Sequence, residues 1–439
     1  MRILLLNPPI YDFTCYDYWL KPLGLLYIAS FLKKNKIEFE FFDFMDRNSP
    51  FLEKKHKNRF FSTGKFRKEK AEKNEILEWF KRPYFRYGLS KKSFYDFISK
   101  KNFDYVFITS MMTYWYEGIE EVVKTIREVN RSTKIILGGV YAKLLPEHAK
   151  TLDVDFVFTN DVDKIYDFLI NNTSIDVKKS YSMYDLIPAY DFYKKLDSAA
   201  ILTQLGCPYR CKYCAVSILN DKFSTLPFEN VLEQLDLLAK MEINDVTFYD
   251  DSLLFRKEKH FLPLFKKIVD KRYTFRFNFS NGLHVRYIDD SVIDIFKRLN
   301  IGMISLSVES ISSRLLEETG NKNTLQETKK AIDLLLKNGF DGRNIFCYIL
   351  LGLPYEDKED VMKTMEFLRK KRVRIVLNEF SPVPKTVYFQ KYKDIIKDPL
   401  FTNKTLFTSL YRYSQNQIQE IKNVVKLFNR ETNEYYENG

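Results

Sequence analysis

The sequence is poor in cysteine and histidine, with five of the first and four of the second in 439 residues. So few cysteines in so long a chain exclude a disulfide framework of the kind that staples small secreted domains. No stretch of about 18 apolar residues occurs, which excludes a bilayer-spanning helix and predicts no membrane insertion. Met1-Arg2-Ile3-Leu4-Leu5-Leu6 runs directly into Asn7-Pro8-Pro9 without the apolar region and cleavage site of a secretory leader; a soluble, cytoplasmic protein is expected. The four histidines, His56, His148, His260 and His284, are scattered and offer no ligand pair. What is present is 45% apolar and 29% charged residues, enough to bury a large core in two or three domains.

Positive charge is concentrated. Of a net +12, residues 51–101 supply most, with 16 Lys and Arg against 6 Asp and Glu. Phe60, Phe61, Phe66, Trp79, Phe80, Tyr84, Phe85 and Tyr87 are interleaved with them, the pattern of a surface that grips phosphates and stacks bases. A solvated helical insertion has the same composition, and that is the expectation here. An anionic substrate, a partner protein and RNA are the alternatives.

The first 170 residues alternate short apolar runs with helical patterns. Ile3 to Leu6, Phe39 to Asp43, Tyr105 to Ser110, Lys134 to Leu137 and Phe156 to Phe158 read as strands, and Pro22 to Lys34 and Tyr116 to Val129 as helices. This series predicts a parallel sheet covered on both faces, with ligands outside the carboxyl ends of the strands. Gly138-Gly139 at one such end permits close approach to a ligand or simply a tight turn. A polar stretch, 171–197, reads as a linker. Six further strand-helix units follow, with strands at Ala199 to Leu205, Asp245 to Tyr249, Thr274 to Phe279, Met303 to Val308, Ile345 to Leu351 and Arg374 to Phe380. They predict an incomplete relative of the eightfold barrel, with its chemistry at the carboxyl ends of the strands. The expected organisation is α/β: a Rossmann-like parallel sheet over 1–170 with an insertion at 51–101, the linker, a partial (β/α)6 TIM-type barrel over 198–385, and a helical, lid-like extension over 386–439.

Three of the five cysteines, Cys207, Cys211 and Cys214, fall within CPYRCKYC, just after the first of these later strands. A structural zinc site takes four ligands, usually in two short pairs, and Cys15 and Cys347 are far away in sequence. An iron-sulfur cubane is held by cysteine thiolates, and three of them leave one iron open to another ligand.

The C-x3-C-x-aromatic-C spacing, with Tyr213 as the aromatic, resembles the signature of the radical S-adenosylmethionine superfamily. Over about residues 195–385 the resemblance implies a [4Fe-4S] cluster on Cys207, Cys211 and Cys214. It implies S-adenosylmethionine held by Tyr213, by Asp250 and Asp251 after the second strand, by Ser307 and Glu309 at the end of the fourth, and by Gly352 and Pro354 after the fifth. Asn281-Gly282-Leu283 is expected to follow the third strand. Read singly, Asp250 and Asp251 also suit a helix cap, and Gly352 with Pro354 a turn. The implied chemistry is reductive cleavage of S-adenosylmethionine to a 5'-deoxyadenosyl radical, with a reductant such as flavodoxin or ferredoxin.

Asn7-Pro8-Pro9, Lys21 to Ala29, Ile108-Thr109-Ser110-Met111 and Ile136-Leu137-Gly138-Gly139 resemble the cobalamin-binding domain that precedes many radical S-adenosylmethionine enzymes. Cobalamin would then lie near Ser110, Met111, Gly138 and Gly139. The Asp-x-His-x-x-Gly lower-ligand motif is missing, so no His ligand to cobalt is expected. Two reaction classes follow: cobalamin-associated C-methyl transfer to a small-molecule or peptide substrate, or a cyclisation, rearrangement or oxidation beside a remnant cobalamin domain. A non-catalytic iron-sulfur protein is a third reading. An RNA methylthiolase is disfavoured, because such a relative would carry further cysteines for a second cluster and only Cys15 lies within residues 1–170.

Overall fold

In the computed structural model, which describes residues 1–52, 57–220 and 222–438, the first alternating series forms a five-stranded sheet. Its spatial order is Phe39–Asp43, Ile3–Asn7, Tyr105–Ile108, Lys134–Leu137, Phe156–Val157, and every neighbouring pair is parallel. Ile3–Asn7 is buried along its whole length, as a strand covered by helices on both faces must be. The helix Leu23–Lys34 places Leu25, Ile28, Phe31 and Leu32 against Ile3, Leu5, Tyr105 and Phe107. The expected linker contributes to this core, burying Ile175, Val177, Leu186 and Ala189. The direction of strand addition reverses between Ile3–Asn7 and Tyr105–Ile108. In open α/β sheets such a switch point is where ligands bind.

The basic segment departs from expectation. Residues 53–56, including His56, lie outside the described residues, and the rest is not a helical insertion. Lys68–Lys70 and Phe85–Tyr87 join Ile10–Asp12 in a three-stranded antiparallel sheet, and the α-helix is confined to Lys91–Ile98. The physical reason is tertiary: Phe80, Tyr84 and Tyr87 stand at helical spacing, but Phe85–Tyr87 is the central strand between Ile10–Asp12 and Lys68–Lys70, and Phe66, Phe80, Tyr84 and Tyr87 are buried there. Phe60 and Trp79 are the exposed members.

The second series gives a six-stranded sheet in the order Arg374–Glu379, Ile345–Leu351, Ile301–Glu309, Arg276–His284, Asp245–Phe248, Ser198–Ile201. This sequential order, with helices between strands, is that of a partial barrel. Two expectations need correction. Asn281-Gly282-Leu283 lies inside its strand, since pairing with Ile301–Glu309 continues to His284, opposite Ser307. The first strand is broken: Ser198–Ile201 is separated from Gln204–Leu205, because Thr203 turns to the Asp250 carboxylate. At the sheet edge, the Asn429 side chain from the helix Gln415–Asn438 accepts the Ile375 N–H at 2.8 Å and donates to its carbonyl at 2.9 Å. The exposed edge is thereby capped.

The chain divides into two compact units, residues 1–200 with 229–243, and residues 201–228 with 244–439. The helical piece 229–243 belongs with the first; Asn230 there donates to the carbonyls of Tyr184 and Leu186. Among the described residues, no helix is long and apolar enough to cross a membrane.

Two glycines test the packing of the first unit. A Cβ on Gly118, in the helix Tyr116–Val129, would lie 1.8 Å from the Pro9 carbonyl oxygen, whereas one on Gly24 would meet nothing within 4 Å. Gly24→Ala is expected to raise the thermal midpoint slightly, by the ~0.5–1 kcal/mol that alanine gains over glycine in a helix. Gly118→Ala is expected to lower it despite the same gain, since overpacking against backbone costs about 1–3 kcal/mol. Calorimetry on both variants checks the pair.

Candidate functional site

The antiparallel pairing of Gln204–Leu205 with Ser224–Thr225 closes the base of the loop that carries the three cysteines. Gly206, at φ +78°, turns the chain into it. Cys207, Cys211 and Cys214 are half-buried and free of disulfides. Burial pushes all three thiols up, Cys214 to about 12. Thiols in this state need a bound cation to become thiolates. Among the described residues, no three His, Cys, Asp or Glu side chains are grouped to hold a single metal ion. Ser252, buried and with no other hydrogen-bond partner, favours the ionised form of Cys207, and the Tyr213 hydroxyl that of Cys211.

A second loop packs on the first. A Cβ on Gly320 would come within 3.3 Å of Cys211 Cα, and two residues later stands Lys322. Its ammonium is 3.4 Å from Glu309 Oε1, with the two side chains 15% and 11% exposed. Its charge opposes the effect of burial on all three cysteines and on Asp251. Sequence reasoning passed over Lys322 because a lysine between two asparagines carries no motif. The capping box of Thr324 and Glu327 that follows marks only a helix start. Asn323 fixes the loop by donating to the Ser307 carbonyl at 2.7 Å.

The residues expected around S-adenosylmethionine separate into two groups. Asp250 is buried, and its Oδ1 accepts the Thr203 N–H at 2.9 Å and hydroxyl at 2.8 Å. Burial raises its pKa to about 7 against those hydrogen bonds, and Oδ2 has no partner. Asp251 has its pKa raised by burial to about 6, with Lys322 as the opposing charge, and its field reaches Cys207 and Cys214. Of the pair, Asp251 faces the cysteines while Asp250 supports the loop. Glu309 adopts φ +61° at the end of its strand, a left-handed conformation uncommon for glutamate and typical of functional strain. The Ser307 hydroxyl donates to the Gly282 carbonyl at 2.7 Å, which ties two strand ends together.

After the fifth strand, Gly352 at φ +91° leaves room for Thr408, whose Cγ2 would stand 2.8 Å from an added Cβ. Glu356 accepts the Gly352 N–H at 2.7 Å and the Tyr413 hydroxyl at 3.1 Å. Pro354 lies buried between them. The carboxy-terminal extension also reaches the cysteine loop: the Tyr388 N–H donates to the Lys212 carbonyl at 3.1 Å, and Tyr213 packs against the apolar cluster of Leu353, Phe380, Tyr388 and Phe407.

In the first unit, a small pocket opens at the switch point of the sheet, lined among others by Asn7, Pro9, Met45, Ser110, Met111 and Trp115. The Ser110 hydroxyl donates to the Gly138 carbonyl at 2.6 Å. Gly139, at φ +93°, sits so close to Ser110 that an added Cβ would be 2.3 Å from the Ser110 carbonyl oxygen. Its lack of a side chain is therefore required by the fold itself. Gly138 has ordinary clearance, 3.7 Å to Phe158.

Comparison with known proteins accords with this geometry. Residues 201–368 match the model of the Radical SAM superfamily. The chain is 26% identical, over 61% of its length, to the threonylcarbamoyladenosine tRNA methylthiotransferase MtaB of Thermotoga maritima, and the match covers 64% of that relative. The chain thus spans a little under two-thirds of the relative's length. Among solved structures, the radical S-adenosylmethionine methyltransferase TsrM of Kitasatospora setae superposes with a TM-score of 0.63 at 15% identity, over 90% of this chain and 76% of that one. The cobalamin-dependent S-adenosylmethionine radical enzyme OxsB gives 0.59 at 13% identity, over 92% and 56%. A radical SAM domain works with a [4Fe-4S] cluster and S-adenosylmethionine, and residues 201–368 of this chain match such a domain.

Proposed function

We propose that Cys207, Cys211 and Cys214 hold the [4Fe-4S] cluster and that the enzyme transfers a methyl group to carbon with the help of a corrinoid carried by the first unit. The observation that carries the first half is three unpaired thiols on one loop, facing the ammonium of Lys322. When bound, the reduced cluster supplies the electron that splits a carbon-sulfur bond of S-adenosylmethionine. The chain's own residues bind and orient. Asp251 is an anionic partner for the ammonium of the methionine moiety, Lys322 and Glu309 form an ion pair suited to its carboxylate and hydroxyl groups, and the loop from Gly352 to Pro354 offers backbone to the adenine. The extension beyond residue 386 fastens that loop and excludes water. The electron donor is a flavodoxin or ferredoxin.

The second half rests on the pocket at the sheet's switch point. A small opening at this point of the sheet suits contact with one edge of a corrinoid, the rest of which would lie outside it. Its lining contains no histidine, and His148 in the same unit is engaged by the Tyr141 hydroxyl. Cobalt would therefore carry no side-chain nitrogen. A second reading, an RNA substrate, draws support from the tRNA-modifying relative. The burial of four aromatics of the basic segment leaves that segment few rings on which to stack bases.

Changing any one of Cys207, Cys211 or Cys214 to Ala is expected to abolish iron retention and cleavage of S-adenosylmethionine, while Cys15→Ala and Cys347→Ala keep both; iron analysis and a 5'-deoxyadenosine assay decide. Asp251→Asn should leave iron unchanged and weaken S-adenosylmethionine binding by about tenfold or more, the loss of one buried charge-assisted contact. Asp250→Ala should instead lower the thermal midpoint, because it frees Thr203. Anaerobic reconstitution with cobalamin should give a spectrum without protein nitrogen on cobalt, and Met112→Glu, a substitution at an exposed pocket residue, should reduce corrinoid retention without a change in stability. A wild-type protein that cleaves S-adenosylmethionine but retains no corrinoid would overturn the methyl-transfer reading.

A further inference from the structure

His284 stands out among the residues the proposed function leaves unused. It ends the strand Arg276–His284, opposite Ser307 on the neighbouring strand, at the carboxyl edge where barrels bind their ligands. The residue is 3% exposed, and neither ring nitrogen has a hydrogen-bond partner. Two unsatisfied polar atoms on one buried ring are costly and call for an explanation. The ring itself is held in place. Tyr209 of the cysteine loop lies against it with centroids 4.6 Å apart, Tyr287 lies at 6.1 Å, and the hydroxyls of the two tyrosines are 2.7 Å from one another. Arg286 sits over the Tyr209 ring at 5.9 Å.

Burial, with Lys322 and Arg286 nearby, lowers the imidazole pKa to about 2, so it is neutral at any working pH and presents one N–H donor and one acceptor. Tyr209, against which the ring lies, stands between Cys207 and Cys211 on the cysteine loop, which puts His284 at the edge of the same pocket. We propose that His284 is a binding residue of this pocket, a ring oriented in advance by Tyr209 and Tyr287 to donate a hydrogen bond to an oxygen of S-adenosylmethionine. The inference rests on the proposed cluster site. A group held unsatisfied in the free protein and satisfied on binding makes the ligand pay less to be oriented than a mobile side chain would.

The role makes an unusual pair of demands on His284→Phe, which keeps the aromatic stack and removes both nitrogens. In the cluster-loaded protein without S-adenosylmethionine, the thermal midpoint should rise, because two unsatisfied buried atoms are gone. Affinity for S-adenosylmethionine, measured by calorimetric titration beside wild type, should fall by about tenfold, with iron content unchanged. His284→Asn, which retains an N–H, should recover part of the lost affinity. A lower midpoint or loss of iron in His284→Phe would make the imidazole a support of the cysteine loop and overturn the proposal, as would unchanged affinity. Failure of wild type itself to hold iron or bind S-adenosylmethionine would instead fall on the cluster assignment, and the role of His284 would fall with it.

Discussion

The grip of Asp250 on Thr203 is the contact on which the second unit's site depends. One carboxylate oxygen takes both the backbone N–H and the hydroxyl of Thr203, while the Thr203 carbonyl accepts the Leu226 N–H at 2.8 Å and His260 Nε2 lies 3.2 Å from its hydroxyl oxygen. A residue so fully engaged cannot continue the strand begun at Ser198–Ile201. The chain leaves the sheet there, pairs briefly as Gln204–Leu205 with Ser224–Thr225, and throws out the cysteine loop between them. Burying a carboxylate is expensive unless its lone pairs are used, and the cost is met here by placing the loop.

Once placed, the loop is governed by one cation. Lys322 pairs with Glu309, favours ionisation of three thiols and of Asp251, and disfavours protonation of His284. A half-buried site with this many potential anions would be self-repelling without it. The loop bearing Lys322 is itself fixed by Gly320 against Cys211 and by Asn323 on the end of a barrel strand. Cation and thiols are therefore positioned by the same contact between loops.

In the first unit, charge and aromaticity serve separate purposes. Arg86, within the basic segment, is 5% exposed and forms a bidentate pair with Glu121, both N···O distances being 2.6 Å. Arg47 is similarly buried on Asp17. Such pairs specify geometry more than they stabilise, and they hold a three-stranded sheet whose aromatic residues form its core. Lysines such as Lys65, Lys68 and Lys70 stay on the surface. A composition that suggests nucleic-acid binding is here divided between a core and a solvated face.

Strand positions were legible in the sequence because parallel strands buried on both faces are continuous apolar runs. Ile3–Asn7, Lys134–Leu137 and Ile345–Leu351 fall where periodicity puts them. The cysteine triplet was legible because the spacing of thiols within eight residues is local. The basic segment was misread as helical because its core is completed by Ile10–Asp12, far away in sequence. The different duties of Asp250 and Asp251, the packing need behind Gly139, and the presence of Lys322 and His284 beside the cysteines were not legible. Adjacent carboxylates look alike until one of them meets Thr203, and a lysine 108 residues beyond the last cysteine of the triplet is brought to it only by strands that pair side by side. Local spacing is written along the chain; which side chains share a low-dielectric pocket is decided by tertiary packing alone.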